Sequence, residues 1–344
     1  AQPPRPARVA TTTSRIDGLA PTWAKGMKLA RGVLLDLATI DRGDVDLAGL
    51  RGACATWTLH ERTSPEQTGD RFAGAEVVVA NKVVLDRDHL RSAPSLKLVC
   101  VAATGTNNVD LEAARELGIA VSNVTAYATP AVVQHVFALM LAHATRLAEY
   151  QQAVRDGAWA RSDQFCLLDY PIRELASLTL GIVGYGELGR GVAKVAEAFG
   201  MQVLVAQRPG GPAEPGRLPL PDLLPRVDVL SLHCPLTETT RNLIGAAELA
   251  LMRSDALLIN TARGGIVDER ALADALRRGV IGGAAVDVLT VEPPRDGNPL
   301  LDPAIPHLIV TPHTAWASRE SRQRLIDEVA ENIRAFTGGI SRNR

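Results

Sequence analysis

Short apolar runs alternate with segments of helical spacing along most of this 344-residue chain. Runs at 32–36, 55–59, 76–80, 96–101 and 119–122 read as strands. Helical spacers separate them. One starts at Ser64 as N-cap with Pro65 at its first position, and another, 110–117, is capped by Asp110 and stopped by Gly118. Five strands alternating with helices predict a parallel sheet covered on both faces. The segment 131–147 follows Pro130 and is apolar nearly all round, with Val132, Val133, Val136, Phe137, Leu139, Met140 and Leu141. Such a helix must be buried on most sides, so it is expected between domains or in a subunit interface. After a polar stretch, 151–169, six more strands are predicted at 178–183, 201–206, 227–232, 256–260, 284–288 and 307–310. A helix over 267–278 has Asp268 near its start and Gly279 just past its end, as capping requires. The last helix, 318–336, carries one apolar stripe: Leu325, Val329, Ile333 and Phe336. It follows the sixth strand, so it is expected to return to the first domain, which is then discontinuous in sequence. The expected layout is 1–26 as a disordered extension, 27–129 plus 317–344 as one domain, and 130–316 as the other.

Composition narrows the class. The chain is 46% hydrophobic and 22% charged with a net charge of −1. That is a globular composition with no global field for nucleic acid or an anionic membrane. No run approaches the ~20 apolar residues of a membrane span. Residues 1–26 have no apolar core of a secretory signal. Cys54, Cys100, Cys166 and Cys234 match no metal spacing, so free thiols in a reducing, cytoplasmic setting are expected. No metal is expected either.

The chemistry begins at Gly184, Gly186 and Gly189, a G-x-G-x-x-G between a predicted strand and a predicted helix. Gly184 permits the turn, Gly186 lets a pyrophosphate approach the backbone, and Gly189 lets the helix lie close to the sheet. The N–H groups of Glu187 and Leu188 open that helix toward the phosphates. Ligands of open α/β sheets bind beyond the carboxyl ends of the strands. Three further motifs end three successive strands: Asn260-Thr261-Ala262-Arg263-Gly264-Gly265, Asp287 through Glu292-Pro293-Pro294, and Pro312-His313-Thr314-Ala315-Trp316. They bring Arg263, Glu292 and His313 to the dinucleotide edge. Arg263 can hold a carboxylate and polarise the adjacent carbonyl. His313 can give a proton to a carbonyl oxygen as hydride arrives, and Glu292 beside it favours the imidazolium.

These motifs, in this order, resemble the D-isomer-specific 2-hydroxyacid dehydrogenase family, in particular its glycerate dehydrogenase/hydroxypyruvate reductase branch. The likeness spans about 28–336. It implies two doubly wound parallel-sheet α/β domains, a flavodoxin-like substrate domain and a Rossmann domain binding NAD(P)H. It implies the catalytic roles just given for Arg263, Glu292 and His313. It also implies that Asp287, Thr261 and Ala262 serve the cofactor, and that the Cys234-Pro235 turn lies on its adenosine side. Backbone groups at Thr104 and Gly105 are implied for the substrate carboxylate, with domain closure excluding water. A homodimer is implied too, with Trp159 approaching the partner's site.

The chain departs from the family pattern at two positions. Gln207, 18 residues after Gly189 and followed by Arg208, stands where an acidic residue usually binds the ribose diol. Acceptance of NADPH is therefore expected, with NADH open if Gln207 still serves a ribose hydroxyl. Gln134 replaces a common Glu, with no consequence assigned. The expected activity is reduction of hydroxypyruvate or glyoxylate to the D-2-hydroxy acid. Two alternatives stand beside it: a non-enzymatic dinucleotide-sensing scaffold, and a phosphoglycerate, formate or phosphite dehydrogenase of the same family.

Overall fold

The computed structural model describes residues 29–340 and 342. The extension expected at 1–26 lies outside them. The chain divides into two compact units. One takes the described residues up to Thr39, Leu47–Asn123 and the chain from Asp327; the other takes Ile40–Asp46 and Val124–Ile326.

The first unit is built on β1 (Arg31–Leu34), β2 (Thr56–Leu59), β3 (Val77–Ala80), β4 (Leu98–Val101) and β5 (Ala120–Ser122). All pairings are parallel and the order is β2-β1-β3-β4-β5, the flavodoxin-like arrangement. β3 and β4 are wholly buried, as covered parallel strands must be, while β2 at the edge alternates exposed Thr56 and Thr58 with half-buried neighbours. The buried Asp36 carboxylate accepts the N–H groups of Asn81 at 2.9 Å and Lys82 at 2.6 Å, joining the chain after β1 to the chain after β3.

The second unit holds β6 (Thr179–Val183), β7 (Gln202–Ala206), β8 (Arg217–Leu218), β9 (Val229–Leu232), β10 (Leu257–Asn260), β11 (Gly283–Val286) and β12 (Leu308–Val310). They form one parallel sheet in the order β12-β11-β10-β9-β6-β7-β8. The order reverses at β6, where the chain runs outward through β7 and β8 on one side and from β9 on the other. This is the doubly wound dinucleotide-binding order with one strand added. The six strands expected from the sequence are present. β8 was not expected, because two residues are too short to show any periodicity.

The expected helix 131–147 is two helices. The first, Thr129–Ala144, ends before Arg146, whose φ of 53° is left-handed, and a second runs Leu147–Arg155. The Arg146 side chain fixes the break by reaching Glu149 at 2.7 Å and His307 at 2.8 Å. Residues 151–155 of the second helix fell in the stretch read as polar, because that helix has no buried residue to mark a period. Burial of the first helix is met inside its own unit. Val136, Met140 and Ala144 join the cluster on one sheet face with Leu180, Ile182 and Ile259. Phe137 stacks on Phe199 at 5.4 Å, and Val133 lies against Gly191 of the helix Glu187–Ala198. No single helix among the described residues is long and apolar enough to cross a membrane; Thr129–Ala144 and Leu147–Arg155 reach the length only together, bent by 57°.

The C-terminal helix, Arg319–Thr337, is divided between the units. Its beginning belongs to the second, where Ser321 Oγ and Arg324 Nε donate to the Tyr127 carbonyl and Arg322 forms a bidentate pair with Asp44 at 2.7 Å. That guanidinium holds the Asp44 carboxyl down at about 2. From Asp327 the helix belongs to the first unit: Asn332 donates to the Asn123 carbonyl at 2.9 Å and Arg334 to that of Gly49 at 2.8 Å. Leu325, Val329, Ile333 and Phe336, the expected stripe, are all buried.

Candidate active site

The glycine turn joins β6 to the helix Glu187–Ala198, for which Gly186 is the N-cap. Two of its glycines are demanded by the protein itself. Gly184 has φ +93°, and a Cβ there would lie 2.5 Å from the Cys234 nitrogen; a Cβ at Gly189 would lie 2.2 Å from the Gly184 carbonyl oxygen. Gly186 is different, since a Cβ there would meet no protein atom within 4 Å. Its bare backbone faces open space at a helix N-terminus, where an anion is stabilised. Glu187 adds no carboxylate to that space unpaired, because it accepts a 2.6 Å hydrogen bond from Thr129. Leu188 packs its side chain on the apolar cluster, so only its backbone is available to a ligand.

Beside this turn lies a cavity of about 520 Å³ at the carboxyl ends of β6, β7 and β9. Cys234 and Pro235 line it, as does Arg208. Burial pushes the Cys234 thiol up to about 11, so it is an inert wall rather than a nucleophile. Gln207 does not line the cavity. Successive residues leaving a strand face opposite sides, and it is Ala206 and Arg208 that face inward. The backbone N–H of Gln207 is spent on Leu218 of β8. Glu214, Arg217, Tyr185 and His233 line the same cavity and were missed from sequence. Burial pushes His233 down to about 4, so it is neutral; Nε2 pairs with Ser231 at 2.8 Å, and Nδ1 has no partner. The buried Thr261 hydroxyl is also without a partner. A glycine cradle left open and the orphaned ring nitrogen of His233 in the cavity wall fit a bound dinucleotide. Ala262 offers less than its position implied, since its N–H is taken by the Asn260 side chain and its carbonyl by Arg263.

The three catalytic candidates follow β10, β11 and β12, and a chain of contacts connects them. Gly264, next to Arg263, lies so close to the following loop that a Cβ would stand 2.0 Å from the Leu289 carbonyl. The Leu289 N–H donates to Glu292 Oε1 at 2.8 Å, and Glu292 Oε2 pairs with His313 Nδ1 at 2.5 Å. Both partners are about one-third exposed, accessible to a small substrate. Arg263 is exposed and commits one Nη to the Ala262 carbonyl at 2.7 Å, leaving its other N–H groups for an anion. Tyr127 lies within the electrostatic reach of Arg263. Burial pushes its hydroxyl up to about 12 against the pull of that cation, and its ring meets Trp316 edge-on at 6.3 Å.

His313 has φ +54°, a left-handed conformation uncommon in residues other than glycine. Asp287 holds it there. Its carbonyl accepts the His313 N–H at 2.8 Å. Its buried carboxylate accepts the Thr311 hydroxyl at 2.5 Å, the Thr314 N–H at 2.9 Å and the Ala315 N–H at 2.8 Å, with His135 Nε2 3.5 Å away. The family resemblance implies a cofactor role for Asp287; the structure makes it the anchor of the loop that carries His313. Thr104 and Gly105 follow β4 in the first unit, where the Thr104 carbonyl accepts from Asn123 at 2.7 Å. A larger cavity, about 620 Å³, opens at the amino ends of the second sheet among residues such as Met140, Arg173 and Leu276. Arg263, Glu292 and His313 take no part in it.

Residues 137–315 match the family described as D-isomer specific 2-hydroxyacid dehydrogenase, NAD binding domain. The chain is 48% identical to a glycerate dehydrogenase of Methylorubrum extorquens over 84% of its own length and 89% of that protein's. It is 36% identical to a hydroxypyruvate reductase of Blautia hydrogenotrophica over 89% and 97%. Among solved structures it is similar to the TT0316 protein of Thermus thermophilus, with a TM-score of 0.78 at 35% identity, covering 90% of this chain and 98% of that one.

Proposed function

The chain belongs to the D-isomer specific 2-hydroxyacid dehydrogenase family, and from that premise we propose that it reduces hydroxypyruvate or glyoxylate to the D-2-hydroxy acid and accepts NADPH. The observation that carries the reading is the His313–Glu292 pair, 2.5 Å long, held by Asp287 at the strand ends beside Arg263. Reduction adds hydride to the keto carbon and a proton to its oxygen. A bound reduced nicotinamide dinucleotide supplies the hydride. Glu292 engages Nδ1 of His313, which leaves Nε2 to carry the proton to the carbonyl oxygen. Arg263 holds the substrate carboxylate and polarises the neighbouring carbonyl. The names of the similar proteins, glycerate dehydrogenase and hydroxypyruvate reductase, support this substrate class.

Acceptance of NADPH rests on Arg208 in the cavity wall. A homodimer is part of the same reading. The segment 159–172 presents Trp159, Phe165, Leu168 and Ile172 to solvent, with Phe165 89% exposed. Yet it is held in place, since Trp159 Nε1 donates to the Phe165 carbonyl and the Tyr150 hydroxyl to that of Tyr170. An ordered apolar surface of this kind suits a second copy, with Trp159 near the partner's site. Four free cysteines suit a cytoplasmic setting.

The test is oxidation of NADPH and NADH with hydroxypyruvate, glyoxylate and pyruvate as acceptors. Turnover favouring the first two is expected, with loss of orders of magnitude in His313→Gln and Arg263→Ala while dinucleotide binding persists. Wild-type turnover in either variant removes that residue from the mechanism.

A further inference from the structure

The loop 209–216 returns the chain to the cavity that Gln207 misses. Gly210 and Gly216 take positive φ, and Gly210 packs on Thr239, another wall residue. The loop delivers Glu214 and then Arg217, the first residue of β8, paired in register with Val205. Arg217 Nη2 meets Glu214 Oε2 at 2.9 Å, and its guanidinium sits over the Tyr185 ring, 6.0 Å from the centroid. The cavity wall therefore carries two guanidinium groups, Arg208 and Arg217, and one carboxylate, Glu214. Arg217 is the more enclosed of the pair, with its side chain 24% exposed against 40% for Glu214.

We propose that Glu214, supplied by this loop, takes over the work of the acid missing from position 207 and, with Arg217, sets the choice between NADH and NADPH. The proposal rests on the reading of this cavity as the adenosine end of a dinucleotide site. A carboxylate there accepts hydrogen bonds from a ribose diol and repels a 2′-phosphate. Glu214 also occupies Arg217, which would otherwise offer a phosphate a bidentate donor. With the diol form, Glu214 keeps Arg217 and accepts from the sugar. With the phosphorylated form, Arg217 must leave Glu214 for the phosphate while Glu214 remains as a like charge. Gln207 is a bystander in both cases.

The experiment measures binding of 2′,5′-ADP and 5′-AMP by calorimetry, together with kcat/KM for NADPH and NADH. It compares the wild type, Glu214→Gln, Arg217→Gln and Gln207→Ala. Glu214→Gln is expected to raise the preference for the 2′-phosphorylated ligand about tenfold, the equivalent of ~1.4 kcal/mol. Arg217→Gln is expected to lower it, and Gln207→Ala to leave it within about twofold. An unchanged ratio in Glu214→Gln overturns the proposal, as does a shift in Gln207→Ala as large as that in Glu214→Gln. If the wild type ignores NADPH, acceptance of NADPH is wrong, but Glu214→Gln gaining 2′,5′-ADP binding still supports the gate. Failure to gain it sinks the gate as well.

Discussion

Replacing Gly264 by alanine tests whether the strand-end motifs act as one assembly. Gly264 is outside the left-handed region, so backbone strain is not the issue and only space is. Its added Cβ would lie 2.0 Å from the Leu289 carbonyl carbon and oxygen and 2.4 Å from the Thr290 nitrogen, where ordinary contact begins at 3.4 Å. The obstructing atoms are backbone, so no side chain can rotate away. The loop must retreat by about 1.4 Å, the difference between those two distances. Leu289 donates to Glu292 and Glu292 holds His313, so the displacement reaches His313, the proposed proton donor, through two hydrogen bonds. A misplacement of about 1 Å at reacting groups costs ~10²-fold in rate. Gly264→Ala should therefore lose about 100-fold in kcat/KM for hydroxypyruvate, equivalent to ~2.7 kcal/mol. Overpacking should also lower stability by roughly 1–3 kcal/mol. Steady-state kinetics, a thermal melt and dinucleotide titration measure the three quantities separately. In a His313→Gln background the Gly264→Ala loss should nearly vanish, because the group it misplaces is gone. Wild-type kcat/KM in the single variant would refute the reasoning, and so would a full further loss on top of His313→Gln.

Three other perturbations probe different parts of the site. Gly186→Ala meets no protein atom within 4 Å, so its melting temperature should stay within a degree or two while the dinucleotide Kd rises about tenfold or more; unchanged binding would show that nothing approaches this backbone. Asp287→Asn turns amide hydrogens toward donors that now bond its carboxylate, at roughly 1–3 kcal/mol for each buried group left unpaired, and kcat should fall with little change in KM. A fall in KM alone would count against a positioning role. Finally, burial lowers His143 and His233 from 6.5 to about 4 in the folded protein. The unfolded chain then binds more protons between these values, so stability falls as pH drops from about 6.5 toward 4, by up to about 1.4 kcal/mol per pH unit for each ring. Melts at pH 7 and pH 5 should differ less in His143→Gln than in the wild type, and equal differences would contradict this.

Much of this was legible because it depends on local pattern. Parallel strands buried on both faces write continuous apolar runs, so all but one of the strands could be read. The glycine turn and the placement of Arg263, Glu292 and His313 after three successive strands were readable because strand ends converge on one edge of such a sheet. The signal failed where tertiary contact decides. The turn at Arg146 depends on Glu149 and on His307, far along the chain. β8 exists because two residues pair with Val205 and Ala206, not because they carry a strand pattern. Counting along the chain pointed to Gln207 and its neighbour Arg208, whereas the alternation of sides at the end of β7 turns only Arg208 inward and the returning loop adds Glu214 and Arg217. No spacing rule could have disclosed that the carboxylate of Asp287 carries the loop of His313.

The divided C-terminal helix has a consequence for the order in which the protein is made. The first unit holds a sheet whose sequence is finished by Asn123, yet Val329, Ile333 and Phe336 are buried in the folded chain and belong to that unit from Asp327 onward. About 200 residues separate the two. At roughly 5–20 residues per second, a ribosome needs about 10–40 s to supply them. For that interval the sheet exists without its last helix, with the Asn123 and Gly49 carbonyls still lacking their partners Asn332 and Arg334. The second unit, whose sheet is encoded without interruption, can close first. The emerging chain thus carries an unfinished apolar face through most of its synthesis, the stage at which a chaperone is most needed.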